Sequence, residues 1–281
     1  MSSSAEAAVD MNRIIAKAEA IHLERQILAL QTLYPTQGYT IKRVAGSTTI
    51  LSPAMLGRKL NHTYGFALGG EVTMDDLQAI EAAYKQNGVH PEIDMCEFAD
   101  GSAFDLLSAQ YTITGSLCEY QRSLSDFQGP AMLGCGIEIS KLGPEDHNTF
   151  IQASVDGFSS TGRVPELLKV LAESAAARSD TILFSASLDG GLVGTAAMAM
   201  IDVEDVKVVV FFIDSCLPNA RGKGVHKALL LERLRIAKDR GCDIAVATAR
   251  EVVLSIHVVL RKDKLLVREL ITKSSAKLKC I

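Results

Sequence analysis

The stretch Val206 to Thr248, VKVVVFFIDSCLPNARGKGVHKALLLERLRIAKDRGCDIAVAT, decides how the chain folds. It reads as a strand, a short basic turn with glycines, an amphipathic helix and a second strand. The run Val208 to Ile213 is β-branched and aromatic without a polar break, as a strand buried on both faces requires. Pro218 ends that strand, because proline has no N–H to give a ladder. Beyond the turn Arg221-Gly222-Lys223-Gly224, the residues Leu230, Leu234 and Ala237 share one helical face, and Gly241 stops the helix behind Lys238 and Arg240. Glycines just ahead of a helix let a ligand approach the backbone, and the first N–H groups of the helix have no carbonyl partner within it. The helix dipole adds roughly half a positive charge at that end. Arg221 and Lys223 bring nothing to such an end unless an anion sits there, so the turn points to a phosphate. A basic turn that merely caps a helix in a parallel sheet is the bland alternative.

Working outward, Ile137 to Ile139 opens a strand, and Phe150 to Phe158 and Val164 to Ala177 form two helices. Thr181 to Ala186 and Leu192 to Met200 pair around the turn Asp189-Gly190-Gly191. Asp126 to Gly134 reads as a linker with Gly129-Pro130 as its turn signal. Before it lies a long helix from Ala5 to Leu33, followed by short strands at Tyr39 to Ile41 and Thr48 to Leu51. A strand from His62 to Gly70 then leads into a helix that starts with a capping box at Thr73 to Asp76 and buries Leu77, Ile80 and Tyr84. Pro91 to Cys96 is a strand, Ser102 to Gln110 a short helix, and Tyr111 to Tyr120 a further strand. The order strand, glycine turn, helix, strand therefore occurs twice, which suggests a duplicated α/β (α+β) fold. On this reading each copy is a mixed central sheet with flanking helices, in domains 1–125 and 134–281. In the first copy Glu71, Asp75 and Asp76 would repel a phosphate, so the anion site belongs to the second.

Arg221-Gly222-Lys223-Gly224-Val225-His226 resembles the pyrophosphate-binding motif of the GNAT superfamily of N-acetyltransferases, which is Gln or Arg, two residues, Gly, one residue, then Gly or Ala. Arg221 and Gly224 match, while His226 stands where the family has a small residue. The resemblance implies acetyl-CoA as cosubstrate, bound by Ser215, Cys216, Arg221, Gly222, Lys223, Gly224, Val225 and His226, and direct attack of a small-molecule amine on the thioester. It also implies that the backbone from Asp214 to Cys216 holds the pantetheine arm. Asp214 is the candidate base, being the only carboxylate from Val206 to Pro218, with a solvated strand-end residue as the alternative. Cys216 has no identifiable His or Asp partner and reads as a small core residue rather than a nucleophile. After Ala249 the family pattern is lost: residues 250–281 contain no Gly, Pro, Asn, Tyr or Phe. A degenerate member that binds a CoA thioester without turnover is thus the second functional reading.

Composition excludes other classes. With 281 residues, 48% of them hydrophobic and 22% charged, the chain can bury two cores. A formal net charge of -4 gives no support to a general nucleic-acid binder. Six scattered cysteines without a Cys-x-x-Cys pair fit reduced thiols in a cytoplasmic protein, with neither disulfide frame nor metal site. His22 has no second ligand at metal spacing. No apolar run is long enough to cross a membrane. A monomer or a homodimer is expected.

Overall fold

The computed structural model describes residues 2–129, 136–249 and 266–273. In chain order its elements begin with α1 (Ser2–Leu33), β1 (Thr40–Val44), β2 (Ser47–Leu51), β3 (His62–Tyr64), α2 (Met74–Asn87), β4 (Glu92–Cys96), α3 (Gly101–Ser108) and β5 (Tyr111–Ser123). They continue with β6 (Ile137–Leu142), α4 (His147–Phe158), α5 (Pro165–Ala177), β7 (Thr181–Leu188), β8 (Gly191–Val203) and β9 (Val206–Cys216). Last come α6 (Val225–Asp239), β10 (Ile244–Ala249) and β11 (Leu266–Lys273). The chain forms two compact units, one from residues 1–35 and 118–265, the other from 36–117 and 266–281.

In the first unit a mixed sheet runs β5-β10-β9-β8-β7-β6, with β10 and β9 parallel and every other neighbour antiparallel. β5 joins it through residues 118–123. Successive strand residues point to opposite faces, and β9 shows why its run is apolar throughout. Val208 and Val210 pack with Ile14, Ile15 and Ala18 of α1, whereas Val209 and Phe211 pack with Leu229, Leu230 and Leu234 of α6. α4 and α5 cover the α1 side with Phe150, Ala172 and Ala175 against Leu183 and Ala197. Helices therefore flank both faces, as the sequence leads one to expect.

The second unit runs β1-β2-β3-β4-β11, with β3 and β4 parallel and the other pairs antiparallel. Its α2 begins with the expected capping box: the Asp76 N–H donates to the Thr73 hydroxyl at 3.3 Å, and the Thr73 N–H to the Asp76 carboxylate at 2.9 Å. β3 stops at Tyr64 rather than at the glycine pair, because Gly65 and Ala67 both take left-handed backbone. Each unit contains one parallel strand-helix-strand crossover, β9-α6-β10 in the first and β3-α2-β4 in the second.

The units divide the chain differently from the expected domains 1–125 and 134–281. Helix α1 buries Ile15 and Ala18 against β9 and β10 of the first unit, and β11 pairs with β4 of the second. Phe127, at the head of the expected linker, is buried in the first core beside α6, while residues 130–135 of that linker lie outside the described residues. So does most of the stretch after Ala249. No helix among the described residues is long and apolar enough to cross a membrane, and no group of metal-ligating side chains occurs among them.

One buried polar cluster sets how the second unit responds to acid. His62 Nδ1 meets the Arg58 carbonyl at 3.2 Å, and the Arg58 guanidinium is hydrogen-bonded to Asp94 and ion-paired, at 2.7 Å, with Glu92. Burial drives the His62 imidazole down to about 4; Asp94 opposes this, while Arg58 and Lys59 add to it. The unfolded chain therefore takes up the proton first, near the ordinary value of about 6.5. Folding stability is full above that value, and falls by up to about 1.4 kcal/mol per pH unit as pH drops toward 4, where the loss levels off. Urea unfolding at a series of pH values is expected to show this slope in the parent protein, and His62→Gln is expected to flatten it.

Candidate active site

β9 and β10 are in register from Val208 with Ile244 to Phe211 with Ala247, and there their pairing ends. Beyond that row β10 stays paired with β5, through Thr248 with Glu119 and Ala249 with Cys118. β9 stays paired with β8, through Ser215 with Thr195 and Cys216 with Gly194. The strands part between these rows, and residues 212–216 keep a backbone edge that no strand among the described residues covers. Peptide groups on an open edge can pair with any extended amide-bearing ligand.

The parting coincides with a bulge. From the row Ala197 with Phe212 to the row Thr195 with Ser215, β8 advances two residues and β9 three. The extra residue resets the alternation of side chains. Phe212 and Ile213 consequently both pack toward α4 and α5, and Asp214 turns to the α6 side. Ile213 carries the distortion, with φ of 53°, a left-handed value that a β-branched side chain strongly disfavours. Such a residue costs on the order of 1–3 kcal/mol and persists only where its surroundings enforce it.

Arg233 braces the next residue, Asp214, from the opposite face of the strand. Its side chain is fully buried, rises from α6 and lies over the Phe211 ring at 4.5 Å. Nη1 donates to Asp214 Oδ1 at 2.7 Å and to the Ala197 carbonyl at 2.9 Å, Nε donates to the Leu229 carbonyl at 3.1 Å, and Nη2 is bonded to Asp214 Oδ2. His226 Nε2 lies 2.9 Å from that same Oδ2. Burial pushes the Asp214 carboxyl up, yet the charge of Arg233 and the hydrogen bond from His226 outweigh it and hold the carboxyl below its usual value. A carboxylate held in this way is a weak proton acceptor.

The turn after β9 has the form an anion needs. Arg221 is extended, Gly222 and Gly224 are left-handed with φ of 78° and 88°, and α6 starts only at Val225. Residues 221–224 are exposed, and a Cβ built on Gly222 would meet open space. The first intrahelical bond runs from the Ala228 N–H to the Gly224 carbonyl at 3.0 Å, which leaves the N–H groups of Val225, His226 and Lys227 without a carbonyl in the helix. No acidic residue stands in that first turn, and Gly224 has no side chain to cap it. Lys223 sits between the glycines, exposed.

Each residue singled out from sequence lies in this region, in differing roles. Arg221 is turned to the protein: Nη2 donates to the Gly157 carbonyl at 2.9 Å and Nε to the Cys216 carbonyl at 3.4 Å, which ties the turn to α4 and β9. The Ser215 hydroxyl is buried in a chain with Thr195 at 2.7 Å and, beyond it, Ser154 at 2.8 Å, so only its backbone is available to a ligand. Burial pushes the Cys216 thiol up against the pull of Arg221, and a protonated thiol is a poor nucleophile. Sequence reasoning missed Arg233, Gly157 and Gly194. Arg233 had a visible signal, a charge three residues past Leu230 and four before Ala237, inside the apolar stripe.

Residues 151–258 match the family described as Acetyltransferase (GNAT) family. No curated protein sequence matches the chain. A GCN5-related N-acetyltransferase from Kribbella flavida is similar in structure, with a TM-score of 0.64 at 16% identity, over 95% of this chain and 96% of that one. A GCN5-related N-acetyltransferase from Sphaerobacter thermophilus gives a TM-score of 0.55 at 15% identity, over 92% and 91%. A tandem GNAT protein from the clavulanic acid biosynthesis pathway gives 0.51 at 12%, over 70% of this chain and 67% of that one. These likenesses establish the fold, while the family match spans residues 151–258, less than half of the chain.

Close packing around the bulge makes one glycine indispensable. A Cβ on Gly194 would lie 2.7 Å from the Ser215 carbonyl oxygen and 2.8 Å from Val225 Cγ1, forcing the end of β9 away from the start of α6. Gly194→Ala is expected to destabilise the first unit by about 1–3 kcal/mol. A thermal melt indistinguishable from that of the parent protein would contradict this packing.

Proposed function

We propose that this chain, whose residues 151–258 match the GNAT acetyltransferase family, transfers an acetyl group from acetyl-CoA to the amino group of a small-molecule acceptor. One observation carries the reading: an exposed turn with two left-handed glycines opens into the N-terminus of α6, beside an edge of β9 that no strand among the described residues covers. The N–H groups of Val225, His226 and Lys227, with Lys223, would hold the diphosphate. The peptide groups of 212–216, which include the backbone of Asp214, Ser215 and Cys216, would pair with the amides of the pantetheine arm. Arg221 would act from behind, by fixing the turn on Gly157 and Cys216.

When bound, the cosubstrate supplies an acyl carbon activated as a thioester. The acceptor nitrogen attacks that carbon, the carbon–sulfur bond breaks, and the ammonium proton leaves while the thiolate gains one. The half-buried Cys216, with its thiol pushed up, supports direct transfer rather than an acyl-enzyme. Asp214 stays ionised and bonded to Arg233 and His226, which favours its serving as an anchor for the site over its serving as the base.

Titration calorimetry with acetyl-CoA tests the site. Gly224→Asp, which puts a carboxylate at the helix mouth and a side chain on left-handed backbone, is expected to abolish binding, and Arg221→Ala to weaken it by about tenfold. Thiol release with a panel of small amines tests turnover. Binding without release on every amine would favour the second reading, a GNAT-like protein that holds a CoA thioester without turning it over. No binding by the parent protein would end both.

A further inference from the structure

We infer that Arg233 is a positioning residue that, through Asp214, holds the bulge of β9 open for the acyl-pantetheine half of the cosubstrate. The inference rests on the acyl-CoA reading above and goes beyond it, because Arg233 lies outside the cofactor turn and touches no surface a ligand reaches. A strand that gains a residue loses ladder bonds to its neighbour. Here the acceptor on β8 beside the bulge is the Ala197 carbonyl, and Arg233 Nη1 takes it at 2.9 Å. The same nitrogen donates to Asp214 Oδ1 at 2.7 Å, and Nη2 to Asp214 Oδ2, so one planar fork binds β8 and the bulged strand at once. Leu229 accepts from Nε at 3.1 Å, and the Phe211 ring lies beneath the guanidinium. Without the fork, only the single contact from His226 is left on the α6 side to hold Asp214 in the turned position that Ile213 must strain to allow.

The alternative is that the pair serves general packing. A buried ion pair is weak evidence for stability, since apolar residues of similar volume often replace one without loss. What such a replacement cannot supply is the direction of the fork. Lysine keeps the charge but carries its three donors on one nitrogen, which cannot span both carboxylate oxygens and the Ala197 carbonyl as the planar fork does. The turn that would hold the diphosphate depends on the Arg221 bonds and on Gly222 and Gly224, none of which Arg233 touches; its one link to the mouth of α6 runs through Asp214 to the His226 side chain, not to the backbone N–H groups there.

Two probes separate the halves of the site in the full chain: acetyl-CoA, which would use the turn and the open edge, and ADP, which would use the turn alone. Arg233→Lys is expected to weaken acetyl-CoA binding, and to lower kcat/KM where an acceptor is known, by about tenfold or more. ADP affinity should stay within about twofold of the parent value. The double variant Asp214→Asn with Arg233→Met removes both charges together, leaves no lone buried ion, and is expected to show the same selective loss. Unchanged affinity for both probes would overturn the inference, as would an equal loss of both. Failure of both variants to fold would overturn it as well, by making the pair a general support. A parent protein that binds ADP but not acetyl-CoA would remove the open edge as a site; one that binds neither would remove the acyl-CoA reading itself.

Discussion

β9 has two edges, and among the described residues a strand lies on only one of them beyond Phe211. That asymmetry is the constraint on which the site depends. A sheet whose strands stayed paired to their ends would leave no extended backbone for a ligand to join, and the turn after β9 would serve only to reverse the chain. The parting has two physical agents. β10 remains committed to β5 through Thr248 and Ala249, and β9 remains committed to β8 through Ser215 and Cys216. Between those commitments the bulge at Ile213 and Asp214 absorbs the difference in direction.

Holding a bulge of this kind has an energetic cost. Ile213 is strained by on the order of 1–3 kcal/mol, the ion of Arg233 is taken out of water, and that of Asp214 is largely so. The structure offsets these costs locally. Arg233 has partners at Nε, Nη1 and Nη2, both Asp214 oxygens are bonded, and the guanidinium lies over an aromatic face. Glycine at 157 and at 194 lets α4 and β8 close against Ser215 and Cys216, where any Cβ would collide. Strain, charge and close approach converge on the five residues from 212 to 216, while the only other register shift among the described strands of the unit lies between β7 and β8 at Ala186 and Ser187. Concentration of cost at one strand end is what a functional site, rather than a merely stable sheet, calls for.

The crossover was legible because each of its signals is local. An unbroken apolar run, a proline, two glycines, a helical stripe and a closing glycine all fall between Val206 and Gly241. The capping box at Thr73 was legible for the same reason. What escaped notice depends on partners distant in sequence. Nothing in Tyr111 to Ser123 says that its second half pairs with β10, or in Leu266 to Lys273 that it pairs with β4, so the compact units could not be drawn from a linker signal. The bulge was hidden because isoleucine is among the residues least suited to left-handed backbone, and tertiary packing overrode that preference. Asp214 was found as the lone carboxylate of the strand, but its purpose needed Arg233, whose place inside an apolar stripe was the clue passed over.

A crystal structure of the chain grown with CoA tests the central claim most directly. Diphosphate oxygens within hydrogen-bond distance of the Val225 and His226 N–H groups, with a pantetheine amide paired to the β9 backbone between Phe212 and Cys216, is the predicted result. CoA bound elsewhere, or β9 and β10 closed on each other past Ala247 in the bound protein, would contradict it.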